Sequence, residues 1–390
     1  MVRQASKAAS FAEASDDVRE WAGVSISTSH LQRLSERMGQ EWAEVRDQQA
    51  ETYQQGKLAC DYVEAPRAAA VMLDGGRVQT RAADCGAGVD SPSWQETKVA
   101  CCLSLASTEQ ANDPQPEPPK KFLDPPQVLR LAQEVKSRGR PALGRSAPQA
   151  KCNRRRKRKH RQVRKLVRTV VATMANSDAF GWQMAAEVQR RGLDRAKRKA
   201  CVCDGQRYNW TLFEMHLLPS GFIGILDFVH LVAYLHDAAH ACNPGKQSVA
   251  WKQYTQWLRW AWSGQVKSLL ASLRKAARAV GEPSADAADD DPRSIVATTL
   301  HYVENNRTRM NYPEYRRLGL PISSALVEST IKQINRRMKG SEKFWLNGGA
   351  EAMLQLRAAY LSDDGRANRY WSRPRPYTRA AGAGRLRPAV

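Results

Sequence analysis

Short apolar runs broken by Gly and Asp mark the chain from Pro66 to Asp227, and beyond it every periodic segment has helical spacing. That change of period constrains the fold most: any sheet is finished before a long helical block begins. Ala68–Leu73, Arg77–Ala83 and Lys98–Leu105 read as strands, with Gly75-Gly76 as a turn, so they predict an antiparallel meander. Ala200–Cys203 and Phe222–Leu226 add two more runs. Between them lie a helix over Ser177–Arg191, with Phe180, Met184 and Val188 on one face, and a helix over Trp210–Leu217 that Asn209 is placed to cap. Five strands, a helical block and returning helices over Ser324–Lys339 and Gly349–Leu361 make an α/β core with an all-α insertion.

The boundaries follow composition. Residues 1–65 are helical, and Trp21, Gly23 and the spacing of Leu31, Leu34 and Met38 give a helix, turn, helix outline. That outline suits a DNA-reading helix-turn-helix and equally a plain helical hairpin. Residues 66–230 hold the strands, with a Pro-rich connector over Asn112–Pro126 and a short helix over Val128–Lys136. Residues 231–320 form the helical insertion, broken by the acidic linker Gly281–Pro292, and 321–362 the returning helices. Residues 363–390 read as a basic disordered tail.

The 390 residues carry a net charge of +22, which points to a polyanionic partner. The charge is concentrated: Lys151–Arg168 holds eleven Lys and Arg and no acid, and Arg366–Val390 seven Arg and no acid. In the first run Arg154, Arg155, Arg156, Lys157, Arg158, Lys159 and Arg161 are the candidate phosphate contacts, sequence-indifferent and salt-sensitive. No stretch of about 18 apolar residues is present, so no membrane span is expected. The start of the chain lacks the apolar core of a secretion signal, so a cytoplasmic, nucleoid-associated location is expected. The eight cysteines include no CxxC pair and read as reduced, mostly buried thiols. His236, His240 and Cys242 lack a fourth ligand, which favours a helix-surface pair over a zinc site. The tryptophans of Trp251–Trp262 read as helical core, with base stacking as the alternative.

Two of the strand runs end in Asp-Gly: Val71-Met72-Leu73-Asp74 and Cys201-Val202-Cys203-Asp204. Phosphoryl transfer by a metal pair needs carboxylates that converge, because hard divalent cations take oxygen ligands. A third carboxylate must come from a helix. On Ser324–Lys339, Val327, Ile331, Ile334 and Met338 form an apolar stripe, and Glu328, Lys332 and Asn335 share an adjacent face. Glu328 is therefore placed to face the strand ends, and Lys332, Arg336, Arg337 and Lys339 to meet phosphates, with Arg77 near the first acid. Strand-end Asp residues are also common turn formers, and Glu328–Lys332 is also an ordinary surface pair.

Several collinear blocks, from about Pro66 to Leu361, resemble bacterial insertion-sequence transposases of the ISKra type. They are Asp74-Gly75-Gly76-Arg77, Asp204-Gly205-Gln206 with Asn209-Trp210, Ile225-Leu226-Asp227-Phe228-Val229-His230, Gly319-Leu320-Pro321 leading to Ser324–Thr330, and Arg337-Met338-Lys339-Gly340. Ser323-Ser324-Ala325 stands where many members have a more Gly-rich lead-in. The resemblance implies a DDE transposase on an RNase H-like mixed sheet, three strands antiparallel and two parallel. Asp74, Asp204 and Glu328 would be its catalytic acids and metal ligands, holding two Mg²⁺ or Mn²⁺ ions. Asp227 and His230 would match the accessory DxxH element of Mutator-like relatives. Double-stranded transposon-end and target DNA would be its partners, and a dimer or higher homo-oligomer would hold both ends. A structure-specific nuclease and a domesticated, non-catalytic DNA-binding protein are the competing readings.

Overall fold

The computed structural model describes residues 1–81, 93–137, 163–340 and 343–372. Helices α1 (Val2–Ala5), α2 (Phe11–Ala22) and α3 (Thr28–Gln54) come first, then strands β1 (Ala68–Thr80) and β2 (Ser93–Ala106). Helix α4 (Pro125–Ser137), strand β3 (Arg164–Thr173), helix α5 (Ser177–Arg190), strand β4 (Arg198–Cys203), helix α6 (Arg207–Leu212) and strand β5 (Ile223–Leu226) follow. The remaining helices are α7 (Phe228–Ala241), α8 (Gln247–Trp262), α9 (Val266–Val280), α10 (Pro292–Asn306), α11 (Tyr312–Arg317), α12 (Ala325–Met338), α13 (Asn347–Leu361) and α14 (Arg366–Ser372).

The five strands form one mixed sheet in the order β3-β2-β1-β4-β5. The β1–β2 and β2–β3 pairs are antiparallel, and β1–β4 and β4–β5 are parallel. Ala68–Leu73 are all buried, as suits a central strand covered on both faces. Alternation across β2 shows the two layers. Cys101 Sγ meets Thr330 Oγ1 of α12 at 3.3 Å, whereas Cys102, one residue on, feels the charge of Glu187 on α5. Cys101, Cys102, Cys201 and Cys203 are buried thiols, as expected.

The strands are not quite the five expected. Gly75-Gly76 is no turn: β1 runs straight through it, with Gly75 opposite Lys98 and Gly76 opposite Thr97. Full-length pairing with β2 satisfies the backbone there, so two expected strands are one. The remaining strand, β3, lies partly in the basic run. Its charges serve the edge of the sheet: Lys165 Nζ pairs with Asp363 Oδ2 at 2.5 Å, and the Arg168 guanidinium donates to Leu361 O at 2.7 and 3.1 Å. Asn209 is not a cap but lies within α6, which starts after Gln206. Arg154–Arg156, Lys157, Arg158, Lys159 and Arg161 lie outside the described residues.

Helices α12 and α13 pack on the sheet, and α3 packs on both α13 and α5. Gly39 is the point of closest approach: a Cβ there would stand 2.1 Å from the Ala352 carbonyl oxygen. In α8, Trp257 and Trp262 are buried, their indole N–H groups donating to Ser272 Oγ and Gln115 O, each at 2.8 Å. His236 is buried beside His240 and pairs with Asp237 at 3.2 Å. No described helix is long and apolar enough to cross a membrane.

Within the segment expected as a disordered tail, Arg366–Ser372 form helix α14, whose charges have partners in the core. Arg366 donates to Glu187 Oε1 at 2.5 Å and to Asp364 Oδ1 at 3.0 Å, and Arg190 reaches Glu187 at 2.8 Å. Burial alone would raise the Glu187 carboxyl, but Arg366 and Arg190 outweigh it and hold it down at about 2. Its folded value thus lies below the unfolded one of about 4.3. The resulting stability is complete above about pH 5 and is lost as pH falls toward 2. It amounts to about 3 kcal/mol. Urea unfolding at stepped pH checks this: Glu187→Gln flattens the acid loss of stability by about that amount. An unchanged acid slope would remove the role given to Glu187.

Candidate active site

Strands β1 and β4 pair in parallel from Ala68↔Arg198 to Met72↔Val202. Carried two residues further, the same register sets Asp74 level with Asp204. Strands β4 and β5 pair from Ala200↔Ile223 to Cys203↔Leu226, which sets Asp227 level with Asp204 in turn. The Asp227 N–H donates to Cys203 O at 2.9 Å. Asp204 and Asp227 thus follow directly on the last residues of β4 and β5, whereas Asp74 lies inside β1, two residues beyond its last parallel pair with β4.

Asp74 and Asp204 line one open cavity of about 480 Å³, together with Glu96, His230, Arg77 and Lys339. Asp74 Oδ1 accepts the Gly75 N–H at 2.7 Å. Asp204 Oδ1 accepts the Gln206 N–H at 3.1 Å and Asn209 Nδ2 at 2.9 Å, and the Asp204 carbonyl accepts the Tyr302 hydroxyl at 2.8 Å. Gly205 sits at φ 93, and a Cβ there would meet the Tyr302 ring at 2.7 Å, so this turn admits only glycine. Burial, then Glu96, Asp204 and Asp74, raise the Tyr208 phenol, which marks the negative field of the three carboxylates.

Glu328 sits in the first turn of α12. Ser324 Oγ lies between Asp227 Oδ2 and Glu328 Oε1, 3.2 Å from the latter. His230 Nδ1 meets Asp227 Oδ2 at 2.9 Å, which assigns the Nδ1 proton to this bond. Asp227 is fully buried. Burial would raise its carboxyl, but His230, Ser324 and the Val229 N–H hold it below the ordinary carboxylate value. The ligand atoms of Asp227, His230 and Glu328 lie within 4.8 Å of one another.

Among the described residues the tight three-way grouping is thus Asp227, His230 and Glu328, while Asp74 and Asp204 face the cavity beside it. His230 belongs to both groups and joins them. Glu96 was missed in the sequence. It stands on β2, 3.2 Å from Lys98, and an acid at a strand entrance reads as solvent-facing. Only its pairing beside the Gly75-Gly76 stretch brings it to the cavity.

Carboxylates and imidazole are donors that divalent cations take, and the described residues present them as two sets: Asp74 and Asp204 on the cavity, and Glu328 with Asp227 and His230. Asp227 fits a ligand role less well, since its oxygens already accept from His230, Ser324 and Val229.

Of the cations expected at phosphates, Arg77 and Lys339 line the cavity. Burial first, and Arg77 second, lower the Lys339 ammonium. Lys332 and Arg336 are exposed, and Lys332 lies 3.6 Å from Glu134. Arg337 does not reach the cavity in this structure: it is buried, between the Phe11 and Trp345 rings, with Nε donating to Ala5 O at 2.8 Å. Residues 5–9 cover it, which helix periodicity cannot reveal.

Comparison with protein families and with curated proteins gives no match for this chain.

Proposed function

We propose that the chain is a DNA transposase of the DDE type on an RNase H-like core. The observation that carries the reading is that Asp74 and Asp204, each two residues beyond the paired stretch of the adjacent parallel strands β1 and β4, line one cavity with Arg77 and Lys339. The position of Glu328 supports it, on a helix packed across β1 after a long helical block. Transposon-end and target DNA are the substrates, in a dimer or higher oligomer working at the bacterial nucleoid.

Asp74, Asp204 and Glu328 would hold two Mg²⁺ or Mn²⁺ ions. Bound there, such ions supply an activated oxygen nucleophile and stabilise the departing oxygen of an in-line attack on phosphorus. The protein does the positioning. Arg77 and Lys339 bind the phosphates that flank the scissile bond. The side-chain-free Gly75-Gly76 stretch lets a DNA backbone come close to Asp74. The Ser324 hydroxyl donates to buried Asp227 and stands beside the Glu328 carboxylate, and Asp227 fixes the His230 ring at the cavity wall.

The test is a strand-transfer assay in Mg²⁺ or Mn²⁺ with a duplex that ends in the element's own terminal sequence. Cleavage and joining to target DNA are expected. Cleavage without joining indicates a nuclease, and binding with neither indicates a non-catalytic DNA-binding protein.

A further inference from the structure

Arg337 of α12 and Arg357 of α13 are 2% and 7% exposed, and neither has a carboxylate partner among the described residues. Buried charges are normally paired, because desolvating a cation costs several kcal/mol that only an anion or a full set of acceptors offsets. Arg190 and Arg316 obey this rule, with Glu187 and Asp113. Arg337 and Arg357 are met by backbone carbonyls instead. Arg337 donates to Ala5 O at 2.8 Å and to Ala9 O at 3.5 Å. Arg357 donates to Ser6 O at 3.0 Å and to Gln333 O at 2.9 Å. Arg337 Nη2 and Arg357 Nε are buried with no acceptor.

The surroundings are cationic. Lys343 Nζ lies over the last turn of α12, 3.3 Å from Arg337 O, and Arg336 is exposed alongside. The acid that acts on Arg337 is Glu13, whose carboxylate accepts the Ala9 N–H at 2.6 Å. Burial, and then the charge of Arg357, pull Arg337 down to about 10, and burial with Arg336 does the same to Arg357. The covering segment is held by the two guanidiniums, by a hydrogen bond from Gln4 Nε2 to Asp17 Oδ2 and by small buried side chains. Its buried side chains are Val2, Ala5, Ser6 and Ala8, which offer little apolar area.

We infer that Arg337 and Arg357, with Arg336 and Lys343, form a phosphodiester-binding site that residues 2–9 cover in this structure, so that this segment and a DNA backbone compete for the two guanidiniums. The carbonyls of Ala5, Ser6 and Ala9 stand where phosphate oxygens would accept, and the two unsatisfied N–H groups are the donors a phosphate would fill. Lys339, two residues beyond Arg337, lines the cavity, so the covered pair is close in sequence to it. The ligand class rests on the DNA reading of the chain; the masking itself does not.

The experiment compares the full chain with one lacking residues 2–9, binding a short blunt DNA duplex across a salt series. The shortened chain is expected to bind about tenfold more tightly, with a salt slope steeper by about 2, as two more phosphate contacts require. Arg337→Gln with Arg357→Gln in the shortened chain should return both quantities to full-chain values. Equal binding by the two chains, no binding by either, or a gain that survives the Gln pair, overturns the site. Amide hydrogen exchange in the full chain carries the test if the shortened one does not fold. Residues 2–9 should lose protection when the duplex is added, and unchanged protection in the bound state overturns the competition. A chain that releases this segment on the duplex yet never cuts or joins DNA keeps the site and loses the transposase reading. One that cuts and joins with the segment still protected does the reverse.

Discussion

Asp204→Asn lowers DNA cleavage and joining at least about a thousandfold while leaving the melting temperature nearly unchanged. The substitution keeps the Oδ1 acceptor that holds the Gln206 N–H and the Asn209 amide, so the turn after β4 survives. What it removes is the negative charge on the cavity wall. Asp74→Asn acts the same way, because its Oδ1 still accepts the Gly75 N–H. Gel-resolved cleavage of an end-mimicking duplex in Mg²⁺, read beside a thermal melt, checks both. Wild-type cleavage rates in either variant would remove the two acids from the chemistry.

Gly39→Ala costs about 3 kcal/mol or more of stability, although it adds a single methyl group. The new Cβ would fall 2.1 Å from the Ala352 carbonyl oxygen, a backbone atom of α13 that no rotamer change can move. Either α3 or α13 must shift, and both reach further into the core: α3 packs on α5, and α13 on β3. Urea unfolding measures the loss. An unchanged midpoint would mean that α3 is not seated on α13 as described.

The sheet was legible where apolar runs stand free of charge. Ala68–Leu73, Lys98–Leu105 and Ala200–Cys203 fall in strands, as does Phe222–Leu226 apart from its first residue. Asp204 was legible because an apolar run and its strand both stop there, whereas Asp74 ends an apolar run but lies inside β1, which continues to Thr80. Three things were hidden by partners distant in sequence. Strand β3 begins in a cationic run whose Lys165 and Arg168 find Asp363 and the Leu361 carbonyl much later in the chain. Helix α14 looked unstructured because Arg366 is fixed by Glu187 of α5. Arg337 lies between apolar positions on α12 and looked solvent-facing, because the segment that covers it comes from the other end of the sequence. Gly75-Gly76 misled for a different reason: a glycine doublet signals a turn only when no neighbouring strand pairs straight through it. The grouping of Glu328 with Asp227 and His230 depends on the hydroxyl of Ser324 and on helix docking, neither of which spacing encodes.

The helical block between β5 and α12 sets a timetable for a chain emerging from the ribosome. The strands bearing Asp74 and Asp204 are made first, while Glu328 and the α13 surface that receives α3 follow only after the whole block. Domains fold as their segments leave the ribosome, and contacts between remote segments form late. A nascent chain therefore carries Asp74 and Asp204 for some time without α12, and a ribosome that stalls before α12 releases a product that lacks Glu328 and, on the proposed reading, cannot cut DNA.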